Sequence, residues 1–263
     1  MKLRYVVASP SGNITIYVLT PCSRAQYAFV AQYLLALPDL KGEQVGFVKS
    51  IGVKNILEMS GLEFCGNAGR AFALYSAKKQ GLSGKQKLLV TESGTDQELE
   101  AEVEVDTGYA KINMPKPINI VNGTTLGLSQ GVVVDLGGIT HVVLRNVAPS
   151  EEGFAKIKKV LYAQSNPAAM GVMFYEEELQ RLTPVVYVES IKSLYWEGSC
   201  GSGSLATAIA LCNLETDGRF TYSFHQPAGS LEVTVEKSQG VIVQNSIAGE
   251  VTFGVEREID IEL

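Results

Sequence analysis

The strongest constraint on the fold of this 263-residue chain is an internal duplication. Three pairs of segments match in the same order and at similar separations: Ser11–Leu19 (SGNITIYVL) with Leu136–Leu144 (LGGITHVVL), Glu63–Tyr75 (EFCGNAGRAFALY) with Gly198–Leu211 (GSCGSGSLATAIAL), and residues 98–103 with residues 230–235. Preserved order and spacing are typical of one structural unit that is built twice. We therefore expect two similar halves.

The sequence pattern of each half predicts the same series of elements: a strand, a connection, a Cys-Gly turn into one long helix, and a β-ribbon. Alternation of apolar and polar residues supports strands at 13–18 and 231–236. Gly81 is a suitable end for the first helix. The fold class is therefore α+β, with two pseudo-symmetric domains of mixed strands related by a pseudo-two-fold axis. Two prolines within Met114–Asn119 place the boundary there, giving domains 1–117 and 118–263, with the last strand free to return to the first domain.

Composition excludes several classes of protein. The net charge of -6 and the absence of a Lys/Arg cluster argue against a nucleic-acid partner. The longest apolar stretches fall far short of the ~20 residues of a membrane helix, and the N-terminus lacks the apolar core of a signal peptide. We therefore expect a cytoplasmic protein with no membrane contact. Four cysteines without a CxxC pair and only two histidines suit neither a metal site nor a disulfide scaffold.

Two of the cysteines, Cys65 and Cys200, lie at matching places in the two repeats, each followed by glycine at the start of a predicted helix. The positive end of a helix dipole favours an anion and can lower the pKa of a thiol. If the halves face one another, both thiols point at one substrate. Inversion of a Cα centre needs a base on one face and an acid on the other, which a thiolate and a thiol supply. The sequence thus predicts an amino-acid racemase or epimerase.

The first backbone N–H groups of the two helices are candidates for holding the substrate carboxylate, and they belong to Gly66, Asn67, Gly201 and Ser202. This chemistry needs neither a metal nor pyridoxal, so no cofactor is expected. The alternatives are that both cysteines only pack at a helix start, or that they form a redox pair. For Cys22 and Cys212, simple burial is the better interpretation.

These motifs resemble the paired cysteine motifs of the diaminopimelate epimerase superfamily, along essentially the whole chain. Within it, the likeness is closest to histidine racemases of opine-type metallophore biosynthesis, and it rests on EQVGF (43–47), MSG (59–61), EFCGNA (63–68), WE (196–197), SCGSG (199–203), HQP (225–227) and GS (229–230). The resemblance implies that each domain wraps a mixed sheet around a central helix and that the domains close over an amino acid. A homodimer is common among such proteins.

The resemblance also implies roles for individual residues. It assigns substrate binding to Asn13 and Gln44, and assistance to the thiols to His141 and Glu197. Glu43 is a candidate acceptor for a substrate imidazole or ammonium group, although most carboxylates beside a turn are merely solvated. His141 lies in the duplicated strand, where the first half carries Ile16.

Departures from the diaminopimelate epimerase pattern bear on the substrate. The chain carries GITH (138–141), AMGV (169–172) and a short WEGS (196–199) where those enzymes carry polar groups that hold the distal end of diaminopimelate. An unpaired buried charge is costly, so a distal carboxylate is disfavoured and a smaller or cationic side chain is favoured. The resemblance to histidine racemases implies histidine as the substrate.

Three alternatives stay open from the sequence. The first is a diaminopimelate epimerase. The second is a non-thiol isomerase of the same superfamily, or a non-catalytic binding protein. The third is a pyridoxal enzyme, which would need a reactive lysine that neither cysteine loop contains.

Overall fold

A computed structural model describes residues 1–189, 192–213 and 215–262. The chain forms two compact units. The first contains Met1–Asn113 together with the C-terminal segment from Ala248 onward, and the second contains Met114–Ile247. Among the described residues, no helix has the length and apolar character needed to cross a membrane.

The first unit begins with strands and two α-helices: β1 (Lys2–Pro10), β2 (Thr15–Val18), α1 (Arg24–Leu35), β3 (Gln44–Ser50), β4 (Asn55–Met59), α2 (Gly66–Lys79), β5 (Lys85–Glu92), β6 (Glu98–Glu104) and β7 (Tyr109–Asn113). The second unit continues with β8 (Asn119–Asn122), β9 (Val132–Asp135), β10 (Thr140–Arg145), α3 (Glu151–Gln164), β11 (Ala169–Glu176), β12 (Arg181–Val188), β13 (Ser193–Trp196), α4 (Gly201–Cys212), β14 (Gly218–Gln226) and β15 (Gly229–Ser238). Then β16 (Val241–Phe253) leads back into the first unit, which β17 (Arg257–Asp260) completes.

The sheet of the first unit is mixed and closes as a barrel. β2 pairs with β1 antiparallel and with β3 parallel, β4 joins β3 antiparallel and β5 parallel, and β5, β6 and β7 form an antiparallel meander. β7 pairs with β16, and the end of β16 pairs with β1 from Ala8 to Pro10, which closes the circuit. β17 adds to the other part of β1.

The helix α2 occupies the middle of this sheet. All of its residues from Gly66 to Ala77 are buried, and it packs against β1, β4, β5, β6 and β7. A helix that is covered on every side must carry small or apolar residues all round, which the run of Gly and Ala in its sequence provides. It ends as the sequence predicts, since Gly81 has a φ of 69° just after the last turn.

The second unit has a comparable local arrangement. β8, β9 and β10 are antiparallel, β10 pairs with β11 in parallel, and β12 pairs antiparallel with β11 and β13. β12 also meets β14 in parallel, and β14 and β15 form a long antiparallel ribbon. α4 packs against β9, β10, β11, β14 and β15 and is buried along nearly its whole length.

The expectation of one long helix per half is wrong, because each unit has a second helix, α1 or α3. α1 packs its apolar face into a core with Phe47. It begins at Ser23, whose backbone N–H donates to the Gln26 side chain at 2.9 Å. α3 begins at Ser150, whose hydroxyl accepts from the N–H of Gly153 at 3.0 Å. Both starts are helix-capping signals that are readable in the sequence.

Candidate active site

Cys65 lies where the chain leaves β4 and enters α2. Its backbone is extended, with φ -137° and ψ 100°, and Gly66 is the first helical residue. The first N–H groups of a helix have no acceptor within it. The N–H groups of Gly66 and Asn67 therefore point out of the N-terminal end of α2, where Cys65 lies. The Asn67 side chain is engaged elsewhere, since its Oδ1 accepts from Arg70 Nε at 3.2 Å.

Three of the predicted substrate-binding residues lie in one hydrogen-bonded group in the first unit. Asn13 Nδ2 donates to Glu43 Oε2 at 2.8 Å, and Gln44 Nε2 donates to Asn13 Oδ1 at 2.7 Å. The Gln44 side chain acts to lower the pKa of the Cys65 thiol, because an amide donor favours the thiolate. Burial raises the pKa of Glu43, against the effect of its bond from Asn13. Gln44 therefore connects this polar group with the Cys65 thiol.

Cys200 occupies the corresponding position in the second unit, at the start of α4. Its backbone is again extended, with φ -121° and ψ 111°. Its Sγ accepts from the backbone N–H of Gly203 at 3.3 Å and lies 3.6 Å from Ser202 Oγ. The Glu197 carboxylate raises the pKa of the Cys200 thiol, because its negative charge and its acceptor oxygens favour the protonated form. The structure thus brings Glu197 to Cys200.

His141 reaches the same site through Ser202. The imidazole Nε2 lies 3.0 Å from Ser202 Oγ, so a hydrogen-bonded chain links His141, Ser202 and the Cys200 thiol. The imidazole is fully buried, and burial lowers its pKa to about 3, so the ring is neutral. Gly171 on β11 leaves room for the ring, since a Cβ there would lie 2.3 Å from Nδ1. Within the described part of the chain, Nδ1 has no hydrogen-bond partner.

The expectation that the helix dipole lowers the thiol pKa is wrong in this structure. Burial raises the pKa of Cys65 to about 12, with Glu92 adding to the effect. Burial raises the pKa of Cys200 well above its usual value, and the carboxylate of Glu197 adds to it. The cost of desolvating a thiolate therefore outweighs the helix N-terminus, and both cysteines are thiols at neutral pH.

Two residues of the site received no individual role from the sequence, although one of them, Gln226, belongs to the HQP segment that supports the resemblance. Glu92 Oε1 accepts the backbone N–H of Cys65 at 2.9 Å, and Gln226 Oε1 accepts the backbone N–H of Cys200 at 2.7 Å. Glu92 is the last residue of β5 and Gln226 the last residue of β14, the strands that follow the two helices. Their equivalent places in the two repeats are the signal that could have identified them.

Comparison with known proteins shows similarity to histidine racemases. A family model described as histidine racemase CntK N-terminal domain matches residues 2–257. A histidine racemase of Staphylococcus aureus strain Mu50 is 31% identical over 255 residues, which cover 93% of this chain and 92% of that protein.

Two solved structures share the fold at low sequence identity. A PhzF-family phenazine biosynthesis protein of Bacillus anthracis aligns with a TM-score of 0.70 at 16% identity, covering 99% of this chain and 100% of that one. A probable proline racemase from Agrobacterium radiobacter K84 aligns with a TM-score of 0.67 at 10% identity, covering 99% and 93%.

Proposed function

Since the chain belongs to the histidine racemase CntK N-terminal domain family and is an isomerase, we propose that it interconverts L- and D-histidine with Cys65 and Cys200 as its acid and base. The observation that carries this proposal is the matched environment of the two thiols. Each terminates an extended segment at the start of a buried helix, and each has its backbone N–H held by a side chain from the following strand.

The chemistry is a proton transfer at Cα. One cysteine, as the thiolate, removes the α-proton, while the other, as the thiol, donates a proton to the opposite face. In this proposal the two pseudo-symmetric domains close over one amino acid, so that the carbon lies between the sulfur atoms. The roles of base and acid exchange between the two reaction directions, and no cofactor takes part.

The thiolate must form in the presence of substrate, because burial keeps both thiols protonated in the free protein. The ammonium group of an amino acid supplies the opposite charge that lowers a thiol pKa. Gln44 beside Cys65 and the Gly203 N–H beside Cys200 stabilise the same ionised form. Glu197 and the His141–Ser202 pair assist Cys200, with Glu197 stabilising the thiol form that donates a proton to the substrate.

The proposed substrate contacts divide into two sets. The N–H groups of Gly66, Asn67, Gly201 and Ser202 hold the α-carboxylate and the negative charge that develops on it in the transition state. The group formed by Asn13, Glu43 and Gln44 presents carboxylate and amide oxygens to the cationic or hydrogen-donating parts of the substrate. An imidazole N–H suits such an acceptor, which supports histidine over an acid with a distal carboxylate.

The test is exchange of the α-proton in D₂O, followed by mass spectrometry, with a panel of L-amino acids that includes histidine and diaminopimelate. We expect exchange of histidine without added metal or pyridoxal. Cys65→Ser and Cys200→Ser should each lower racemisation by at least about a hundredfold, the usual contribution of a positioned acid or base.

Cys212→Ala is the matched control, because Cys212 is a buried cysteine on α4 outside the site. Exchange of diaminopimelate without histidine would contradict the substrate. Undiminished racemisation by either serine variant would contradict the two-thiol mechanism.

A further inference from the structure

Glu92 and Gln226 hold the two cysteines in the same way. In each unit a side-chain oxygen at the end of a strand accepts the backbone N–H of the cysteine, at 2.9 Å for Cys65 and 2.7 Å for Cys200. Both side chains are buried, with exposed fractions of 1% and 8%. Because a buried N–H must find an acceptor, each bond fixes the cysteine backbone relative to the end of a strand.

This bond resembles one half of a capping box, in which a Glu or Gln side chain accepts the N–H of the residue that precedes a helix. In a capping box the acceptor lies three positions along the same helix. Here it comes from the strand that follows the helix, so it links the start of α2 to the end of β5 and the start of α4 to the end of β14. The thiol can then change its protonation state without a shift of the chain that carries it.

Glu92 and Gln226 differ in the other polar atom of the side chain, which is Oε2 in Glu92 and Nε2 in Gln226. Gln226 Nε2 donates to Ser204 Oγ at 3.0 Å, and Ser204 Oγ donates to the carbonyl of Cys200 at 2.7 Å, which completes a closed ring of hydrogen bonds. The matching position in α2 is Gly69, where a Cβ would lie 2.4 Å from Glu92 Oε2. Glycine therefore makes room for the carboxyl group, whose Oε2 has no hydrogen-bond partner in the described residues.

Glu92 performs its role as a neutral acid. Burial raises its pKa well above the usual range, and the nearby Glu63 adds to the effect. A charged Glu92 would oppose the ionisation of Cys65, since a negative charge there raises the thiol pKa. A protonated carboxyl is close in shape and charge to the amide of Gln226, so the two units present equivalent anchors to their cysteines.

We propose that Glu92 and Gln226 are paired positioning residues, each of which fixes one reactive cysteine through its backbone N–H and so sets the orientation of that thiol. This inference rests on the proposed function. Neither side chain needs to touch the substrate.

The experiment compares Glu92→Met and Gln226→Met, which remove the acceptor, with Glu92→Gln, which keeps it. The alkylation rate of each cysteine by iodoacetamide is followed by peptide mass spectrometry, beside kcat and KM for α-proton exchange. We expect Glu92→Met to change the alkylation rate of Cys65 by about tenfold and to leave that of Cys200 within about twofold, since a buried N–H has lost its acceptor. Gln226→Met should give the converse result.

Glu92→Gln should restore the alkylation rate and kcat to within about threefold of the original protein, because its oxygen accepts the same N–H. In the methionine variants kcat should fall while KM changes little. Equal effects on both cysteines, or a Glu92→Gln variant as impaired as Glu92→Met, would overturn the proposal.

Two further measurements test the positioning role if a variant does not fold or if the proposed function itself fails. If Glu92→Met does not fold, Gly69→Ala displaces the carboxyl without removing it, and an unchanged alkylation rate of Cys65 in that variant would overturn the proposal. If the original protein exchanges no amino acid, the proposed function fails, while the alkylation rates still decide whether the anchors position the thiols.

Discussion

Glu92 is a buried carboxyl group whose protonation is tied to folding. Its pKa in the folded protein is well above the value of 4.5 that is usual for a glutamate, chiefly because of burial. Between those two values the unfolded chain binds fewer protons than the folded one, so stability falls as pH rises, by up to about 1.4 kcal/mol per pH unit. The burial that keeps the Glu92 carboxyl group neutral therefore makes the folded protein less stable as pH rises.

Glu92→Gln should remove this pH dependence. We expect the free energy of unfolding of the variant to increase relative to that of the original protein as pH rises from about 4 to 8, because the amide does not titrate. Urea unfolding at several pH values measures the difference. Glu98→Gln, a change at an exposed carboxylate on β6, is the control. A difference between Glu92→Gln and the original protein that is the same at every pH would show that Glu92 is charged in the folded state.

At the scale of elements, α2 is held in its barrel by a buried arginine. Arg70 is fully buried, and its guanidinium donates to Ser11 Oγ and to the carbonyl of Gly249, both at 2.8 Å, and to Asn67 Oδ1. These bonds join the helix to the loop after β1 and to β16. Burial lowers the Arg70 pKa to about 10, which leaves the group charged at neutral pH.

Arg70→Met should destabilise the protein by about 2 kcal/mol or more, because it leaves buried acceptors without a donor. Lys79→Met on the same helix removes a partly exposed ion pair to Glu256 and a cation–π contact with Tyr75, and it should cost less than about 1 kcal/mol. Urea unfolding of both variants checks the expectation. Equal losses of stability would mean that the buried guanidinium does not tie α2 to the strands.

The sequence predicts the elements that carry the repeat and misses those outside it. The starts of α2 and α4 are marked by the repeated Cys-Gly pairs, and both helices begin at the glycine. α1 and α3 lie between the matched segments, where no repeat draws attention to their capping signals. The thiol pKa direction is also missed, since burial depends on how many strands surround a helix, which local patterns do not show.

Some site residues could also be predicted from the sequence, whereas others could not. The sequence proposes Asn13, Glu43 and Gln44 for substrate binding, and the structure joins them in one hydrogen-bonded group. The resemblance implies that His141 assists the thiols, and the structure links His141 through Ser202 to Cys200. The sequence does not identify Glu92, because a single glutamate at the end of an alternating strand looks solvated until the strand is packed against α2. The catalytic and binding roles of all these residues stay predictions.

At the scale of the whole molecule, the C-terminal segment completes the first unit. Ile261 is 2% exposed and belongs to a core with Leu3 and Tyr5, and its backbone N–H donates to the carbonyl of Met1 at 2.9 Å. β17 pairs with β1 from Lys2 to Tyr5. The strand β1 and the segment around Ile261 are therefore parts of one core.

Ile261→Ala should destabilise the protein by about 2–4 kcal/mol, the usual cost of truncating a buried side chain. Val255→Ala, at a residue that is 70% exposed, should change the stability by less than about 0.5 kcal/mol. Urea unfolding gives the magnitude, and hydrogen exchange should show that β1 loses protection in the first variant. Full protection of β1 in Ile261→Ala would contradict a shared core.

The pairing of β1 with β16 and β17 sets an order for folding during synthesis. Because β1 precedes the second unit in the chain and β17 follows it, the first barrel lacks its closing strands until the second unit has been synthesised. The second unit, which the chain enters and leaves in between, can complete itself earlier. The half that begins first at the ribosome is therefore the half that finishes last.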